Sequence, residues 1–162
     1  MNYLNLDKSK TKDTVKQLNI LLADYHLYYQ KLRNFHCNVS GHNFFDLHEQ
    51  FEDMYNDAKV KVDEIAERIL TLRFQPESNF TQYLDISNLS EVSSDIEDFE
   101  MVAALLRDHS KIISQMRITI DVADKNEDEG TIDLVGAYIR ELEKTSWMLD
   151  AWIMKKEEKQ HS

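Results

Sequence analysis

The sequence predicts an all-α protein: a four-helix bundle with a long crossover between helices two and three, itself carrying a short helix. Three observations predict it. Only three Gly and one Pro occur in 162 residues, so helix breakers are scarce. Apolar residues recur at steps of three and four along four long stretches. The connections flanking the middle one are short and the middle one is long, which makes two antiparallel hairpins joined across the bundle.

The first helix is expected over about residues 11–38, with Val15, Leu18, Leu22, Tyr25, Tyr29, Leu32 and His36 along its stripe. The second is expected over about 45–73, through Phe44, His48, Phe51, Tyr55, Ala58, Val62, Ile65, Ile69 and Leu72. The third starts near Asp95, with Ser93, Ser94 or Asp95 as cap, and shows Phe99, Val102, Leu106, His109, Ile113, Met116, Ile120 and Ala123. The fourth begins near Thr131 and carries Ile132, Val135, Ile139, Leu142, Leu149 and Ile153. Residues 39–42 and 126–130 are the short turns. The crossover, 74–94, contains Pro76. At about 3.3 Å per extended residue it exceeds the roughly 45 Å of a 30-residue helix. The slack suits a small helix at 81–86.

The length suits one domain, 1–162, with flexible tails expected at 1–10 and 156–162. A formal net charge of −11 disfavours general affinity for nucleic acid and favours cations. The single cysteine, Cys37, excludes an intrachain disulfide and fits a reducing compartment. No stretch approaches the roughly 18 apolar residues of a membrane span, and residues 1–13 lack an apolar signal core. A cytoplasmic protein is expected.

Five residues have the chemistry of metal ligands at fixed spacing: His36, His48, Glu52, Asp63 and Glu67. The last four share one sector of the second helix, with Glu52 about 40°, Asp63 about 60° and Glu67 about 100° from His48. Along the axis they are too spread for one metal, since His48 and Asp63 lie about 22 Å apart at 1.5 Å per residue. His48 with Glu67, and Glu52 with Asp63, share a midpoint between Asp57 and Ala58. An antiparallel copy crossing there sets His48 against the partner's Glu67. A two-fold interface of that kind makes two equivalent sites. Imidazole with carboxylate suits iron, zinc or manganese, and open positions suit ferrous iron meeting an oxidant. The lone cysteine excludes an iron–sulfur cluster.

The run Phe-His-Cys-Asn-Val-Ser-Gly-His-Asn-Phe-Phe-Asp-Leu-His-Glu-Gln-Phe-Glu at 35–52 resembles the signature of the Dps proteins, mini-ferritins of starved or stressed bacteria. Met54, Tyr55 and then Asp-Glu-Ile-Ala-Glu-Arg at 63–68 are similar to its second half. The resemblance implies a ferritin-like bundle and a hollow shell of twelve copies with tetrahedral symmetry. It implies ferroxidase centres at the two-fold interfaces, His36 and His48 facing the partner's Asp63 and Glu67. Glu52 falls at an additional carboxylate position, as direct ligand or through water. It implies oxidation of Fe(II) by hydrogen peroxide or oxygen, storage of a ferric mineral and protection from oxidative stress. The chain departs from the pattern at Cys37, where many relatives carry Trp; the thiol either packs as a small apolar residue or takes up oxidant.

Other candidates are weaker. The acidic run of Asp121, Asp124, Glu127, Asp128, Glu129 and Asp133 is either an ordinary turn or, as the resemblance to the family implies for this region, an ion-entry path at a three-fold axis through Asp128 and Asp133. Glu49, Asp53 and Asn56 are candidates for mineral nucleation. The alternative function is a nucleoid-associated shell that binds and protects DNA. For it stand Lys8, Lys10, Lys12, Lys16, Lys155, Lys156 and Lys159; against it stand the flanking acids and the net charge. DNA is therefore not expected as a partner. His26, His42 and His109 lack partners at ligand spacing. Trp147, Met148, Trp152 and Met154 read as core or interface, and no haem is expected. The one Glu-x-x-His, Glu158 to His161, falls in the C-terminal tail.

Overall fold

A computed structural model describes the backbone of residues 2–160 and the side chains through Met154. Among the described residues there are five helices and no strand: α1 Lys8–Asn38, α2 Phe44–Thr71, α3 Phe80–Ile86, α4 Asp98–Asp124 and α5 Glu129–Gln160. α2 packs on α1 and α5 on α4, while α1 also touches α4 and α3. These are the two hairpins and the crossover, with α3 one residue longer than expected. No described helix is long and apolar enough to cross a membrane.

α1 begins three residues earlier than its stripe suggests because Asp7 caps it, accepting from the N–H groups of Ser9 at 2.8 Å and Lys10 at 3.0 Å. Residues ahead of it, expected within a tail over 1–10, include Leu4 and Leu6 packed against the core. The backbone N–H of Asp7 also donates to Asn126 Oδ1 at 3.2 Å. α4 starts at Asp98, not near Asp95. The Glu100 carboxylate reaches back to the Glu97 N–H at 3.2 Å, whereas Ser93 Oγ is taken by the Asp95 N–H at 3.1 Å in a turn of its own. α5 starts at Glu129 because Asp128 caps it. The C-terminal candidates Lys155, Lys156, Lys159 and Glu158–His161, with the expected tail 156–162, lie outside the residues whose side chains are described.

The core runs through Leu18, Leu22, Leu32 and Phe35 of α1, Phe51, Ile65 and Ile69 of α2, Leu105, Ile112 and Met116 of α4, and Val135 and Leu142 of α5. Complete burial of one such side chain contributes about 1.5–3 kcal/mol. The apolar stripe predicted for α4 is turned slightly. Leu106, Ile113 and Ile120 are only half-buried, while Asp108, Gln115 and Thr119 are inside. Each of these polar groups is satisfied. Asp108 pairs with Lys31 of α1, Gln115 Nε2 donates to Gln17 Oε1 at 3.0 Å, and Thr119 donates to the Gln115 carbonyl at 2.8 Å.

The turn between α1 and α2 positions the candidate site. Val39 N–H returns to the Phe35 carbonyl at 2.8 Å, and Gly41 takes φ +95°, a left-handed conformation that a side chain would strain. Phe44 N–H then reaches the Gly41 carbonyl at 3.2 Å and opens α2. The end of α1 and the start of α2 are thereby held side by side.

Candidate metal centre

His36 lies in the last turn of α1 and His48 in the second turn of α2. Their rings stack at 3.7 Å and 20°. His36 Nδ1 is 2.8 Å from the His48 carbonyl, and His48 Nδ1 is 2.8 Å from the His36 carbonyl. A carbonyl can only accept, so both Nδ1 atoms carry the proton. In the neutral rings both Nε2 atoms are left with a lone pair, as a metal ligand requires. The exchange also serves the fold, since the His36 carbonyl is among the last four of α1, which lack helical partners.

Aromatic rings hold the pair. Phe44 stacks on His48 at 4.9 Å and Tyr55 meets His36 edge-on at 5.3 Å, while the buried Phe35 and Phe51 pair with each other, centroids 6.0 Å apart. The sequence reading put Phe44 and Tyr55 on the core stripe; both are half-buried walls of this site. The Tyr55 hydroxyl donates to Glu52 Oε1 at 3.3 Å, which fixes the exposed carboxylate one turn beyond His48.

Asp63 and Glu67 are exposed on the far half of α2. Helix geometry puts them about 22 Å and 28 Å along the axis from His48. Neither carboxylate finds a hydrogen-bond partner among the described residues. No three His, Cys, Asp or Glu of the described residues converge at metal-binding distance. One chain thus brings His36 and His48 together, holds Glu52 only through Tyr55, and leaves Asp63 and Glu67 farther along α2.

The remaining candidates separate clearly. Asp128 is only 1% exposed and cannot line an open path within its own chain. It caps α5, accepting from Thr131 N at 3.1 Å and Thr131 Oγ1 at 2.7 Å, and pairs with Arg68 of α2. Gly130 allows that pairing, because a Cβ there would lie 2.8 Å from Arg68 Nη2. Asp133 is exposed, as are Glu49, Asp53 and Asn56. Cys37 is exposed and so does not pack in the core of its own chain. Trp147, Met148 and Met154 are exposed, and Trp152 is half-buried.

His109 and His26 are accounted for without a metal. His109 is 1% exposed, and burial lowers its pKa to about 4. Its Nε2 is 2.7 Å from the Tyr28 hydroxyl and its Nδ1 is 2.8 Å from Ser146 Oγ, which donates to the Leu142 carbonyl at 2.7 Å. Since Ser146 gives its proton to that carbonyl, His109 Nδ1 donates to Ser146 and Nε2 accepts from Tyr28. His26 stacks on Tyr83 at 4.1 Å, and burial lowers its pKa as well. His42 is exposed in the turn.

The bundle and its histidine pair define a class. The model of the ferritin-like domain matches residues 15–158. Among curated relatives, a DNA protection during starvation protein of Porphyromonas gingivalis is 40% identical, covering 93% of this chain and 94% of its own. DNA protection during starvation protein 2 of Bacillus anthracis is 37% identical over 88% of this chain and 97% of its own. Among solved structures, the Dps protein of Vibrio cholerae O1, described as a ferritin-like diiron-carboxylate protein, superimposes with TM-score 0.91 at 38% identity, covering 94% and 96% of the two chains. The chain belongs to the Dps group of the ferritin-like family.

Proposed function

We propose that the chain is a ferroxidase and iron-storage mini-ferritin of the cytoplasm. Twelve copies form a hollow shell. Fe(II) is oxidised by hydrogen peroxide or oxygen at sites shared by two copies, and the ferric product is kept inside as mineral. The observation that carries the reading is the reciprocal lock of His36 and His48, which directs both Nδ1 protons to carbonyls and reserves both Nε2 atoms. In this reading Asp63 and Glu67 of the partner subunit complete the donor set, and Glu52 adds a third carboxylate. The donors suit iron, borderline nitrogen with hard anionic oxygen.

Fe(II) is the substrate. Two ferrous ions give one electron each to hydrogen peroxide, which takes two protons and leaves as two waters. Consuming iron and peroxide together leaves neither for hydroxyl-radical chemistry. The imidazoles bind the ion while the carboxylates favour the more highly charged product. Solvent protons compete for the same Nε2 atoms, so binding weakens as pH falls. Asp133 remains a candidate for an ion-entry path, without Asp128.

The test is Fe(II) oxidation followed under anaerobic conditions, first with peroxide and then with air, on particles sized by light scattering. The double variant His36→Ala, His48→Ala is expected to assemble and to oxidise iron no faster than a protein-free control. An unchanged rate in that variant would overturn the site.

A further inference from the structure

α2 and α5 belong to different hairpins, and a groove of about 320 Å³ opens between them with Tyr25 of α1 among its lining residues. Tyr25 is 1% exposed, and its hydroxyl has no hydrogen-bond partner among the described residues. Its tyrosine neighbours are engaged, Tyr28 with His109 and Tyr138 with Glu64. An unpaired buried hydroxyl is destabilising, so a polar group entering the groove beside it has something to satisfy. Burial raises the Tyr25 phenol well above its usual range, and the charges of Asp57 and Glu141 act in the same direction. Tyr25, Asp57 and Glu141 line the same groove.

Lys61 lies beside it, its side chain 4% exposed. Its ammonium is gripped by both oxygens of Asp57, at 2.6 and 2.7 Å, and by Glu141 at 2.7 Å, over the Tyr138 ring at 5.2 Å. An ammonium has three protons, and these contacts use them, so nothing is left there for an anion. The carboxylates are not used up. Asp57 and Glu141 line the groove and keep 58% and 54% of their side-chain surface exposed. With Asp53 and Lys144 included, the lining carries one net negative charge. Oxygen donors under a negative balance suit a hard divalent cation. No three His, Cys, Asp or Glu of the described residues converge at ligand distance, so such an ion keeps most of its water.

We propose that this groove is a second cation site, holding a hydrated divalent ion such as Mn(II), Mg(II) or Fe(II) through Tyr25 Oη, Asp57 and Glu141, in competition with the Lys61 ammonium. It needs no histidine and no second copy of the chain, so it stands apart from the site proposed above.

Mn(II) alone is the probe, followed by loss of the free hexaaqua signal in electron paramagnetic resonance. The full chain is used in its assembled form, with His36→Ala and His48→Ala in the background so that the histidine pair adds nothing. The background protein is expected to bind one Mn(II) per chain. Tyr25→Phe, which keeps the ring and its packing, and Glu141→Gln should each weaken binding by about tenfold, a change of about 1.4 kcal/mol. Lys61→Gln should tighten it, since the competing charge is gone; Lys61→Met serves if that variant does not fold. Absence of Mn(II) binding in the background overturns the proposal. So does binding that ignores Tyr25→Phe, the mark of an unspecific acidic surface, or binding that weakens in both Lys61 variants. Each of these failures leaves the histidine site untouched, because the background already lacks it.

Discussion

His36 and His48 meet where α1 ends and α2 begins, and each keeps one ring nitrogen unused; His109, in the middle of α4, keeps none. All three lie on apolar stripes of the sequence, and position on a stripe does not separate them. Hydrogen-bond accounting does. A carbonyl on Nδ1 and nothing on Nε2 leaves a ligand. A serine on one nitrogen and a phenol on the other leave a cross-brace between α1, α4 and α5. The first arrangement gives up some burial to stay available, and the second gives up all chemistry for stability.

The sharpest attempt to break the comparison concerns whether the available pair needs a second chain. The variant His36→Ala, His48→Ala and the variant Asp63→Asn, Glu67→Gln should each be inactive alone. Shells co-assembled from both should recover Fe(II) oxidation, because a mixed two-fold contact unites intact histidines with intact carboxylates at one of its two sites. Activity confined to the parent protein, with mixed shells verified by mass spectrometry, would show that the carboxylates do not complete the site across the interface.

The second prediction tests the brace by pH. His109 has its pKa lowered to about 4, against about 6.5 in the unfolded chain. Between these values the unfolded chain binds a proton that the folded chain refuses. Stability is therefore full above about pH 6.5 and falls as pH drops toward 4, by an amount on the order of 3 kcal/mol. Denaturant titrations across that window should show the slope in the parent and a shallower one in His109→Gln.

The smallest expected effect contrasts two phenols. Tyr28→Phe strands His109 Nε2 in the interior and should cost about 1–3 kcal/mol in chemical denaturation. Tyr55→Phe removes only a 3.3 Å contact to an exposed carboxylate and should leave the same measurement within about 0.5 kcal/mol. Equal costs for the two would undo the distinction between an available histidine and a braced one.

Much of the fold was legible in the sequence because helix period and connection length are local signals. The hairpins, the crossover and its short helix followed from them. The capping residues were less visible: Asp7 and Asp128 act through geometry that several nearby acids could have supplied. Asp128 looked like one more surface carboxylate because its partner, Arg68, is sixty residues away in sequence. The α4 stripe was misplaced slightly for a related reason. A period of apolar residues does not register Asp108 or Gln115, whose burial depends on Lys31 and Gln17 in another helix. At the candidate site, the spacing points to five ligand types, and within one chain the fold draws together the two histidines. The carbonyl exchange between the histidines could not be read from residue types, since it is made by backbone atoms.

Asp24 of α1 is fully buried and accepts from Ser87 Oγ at 2.7 Å, Asn88 N at 2.6 Å and Asn88 Nδ2 at 2.9 Å. The crossover is thus fastened to the first hairpin just after α3, and residues 93–95 beyond it are exposed. The polypeptide is in this sense two cassettes, α1–α3 and α4–α5, that recognise each other through Lys31 with Asp108 and Tyr28 with His109. Those contacts do not run through the covalent thread between the halves, so two separately made pieces, cut at residues 93–95, are expected to find one another, which size-exclusion chromatography of the mixed pieces checks.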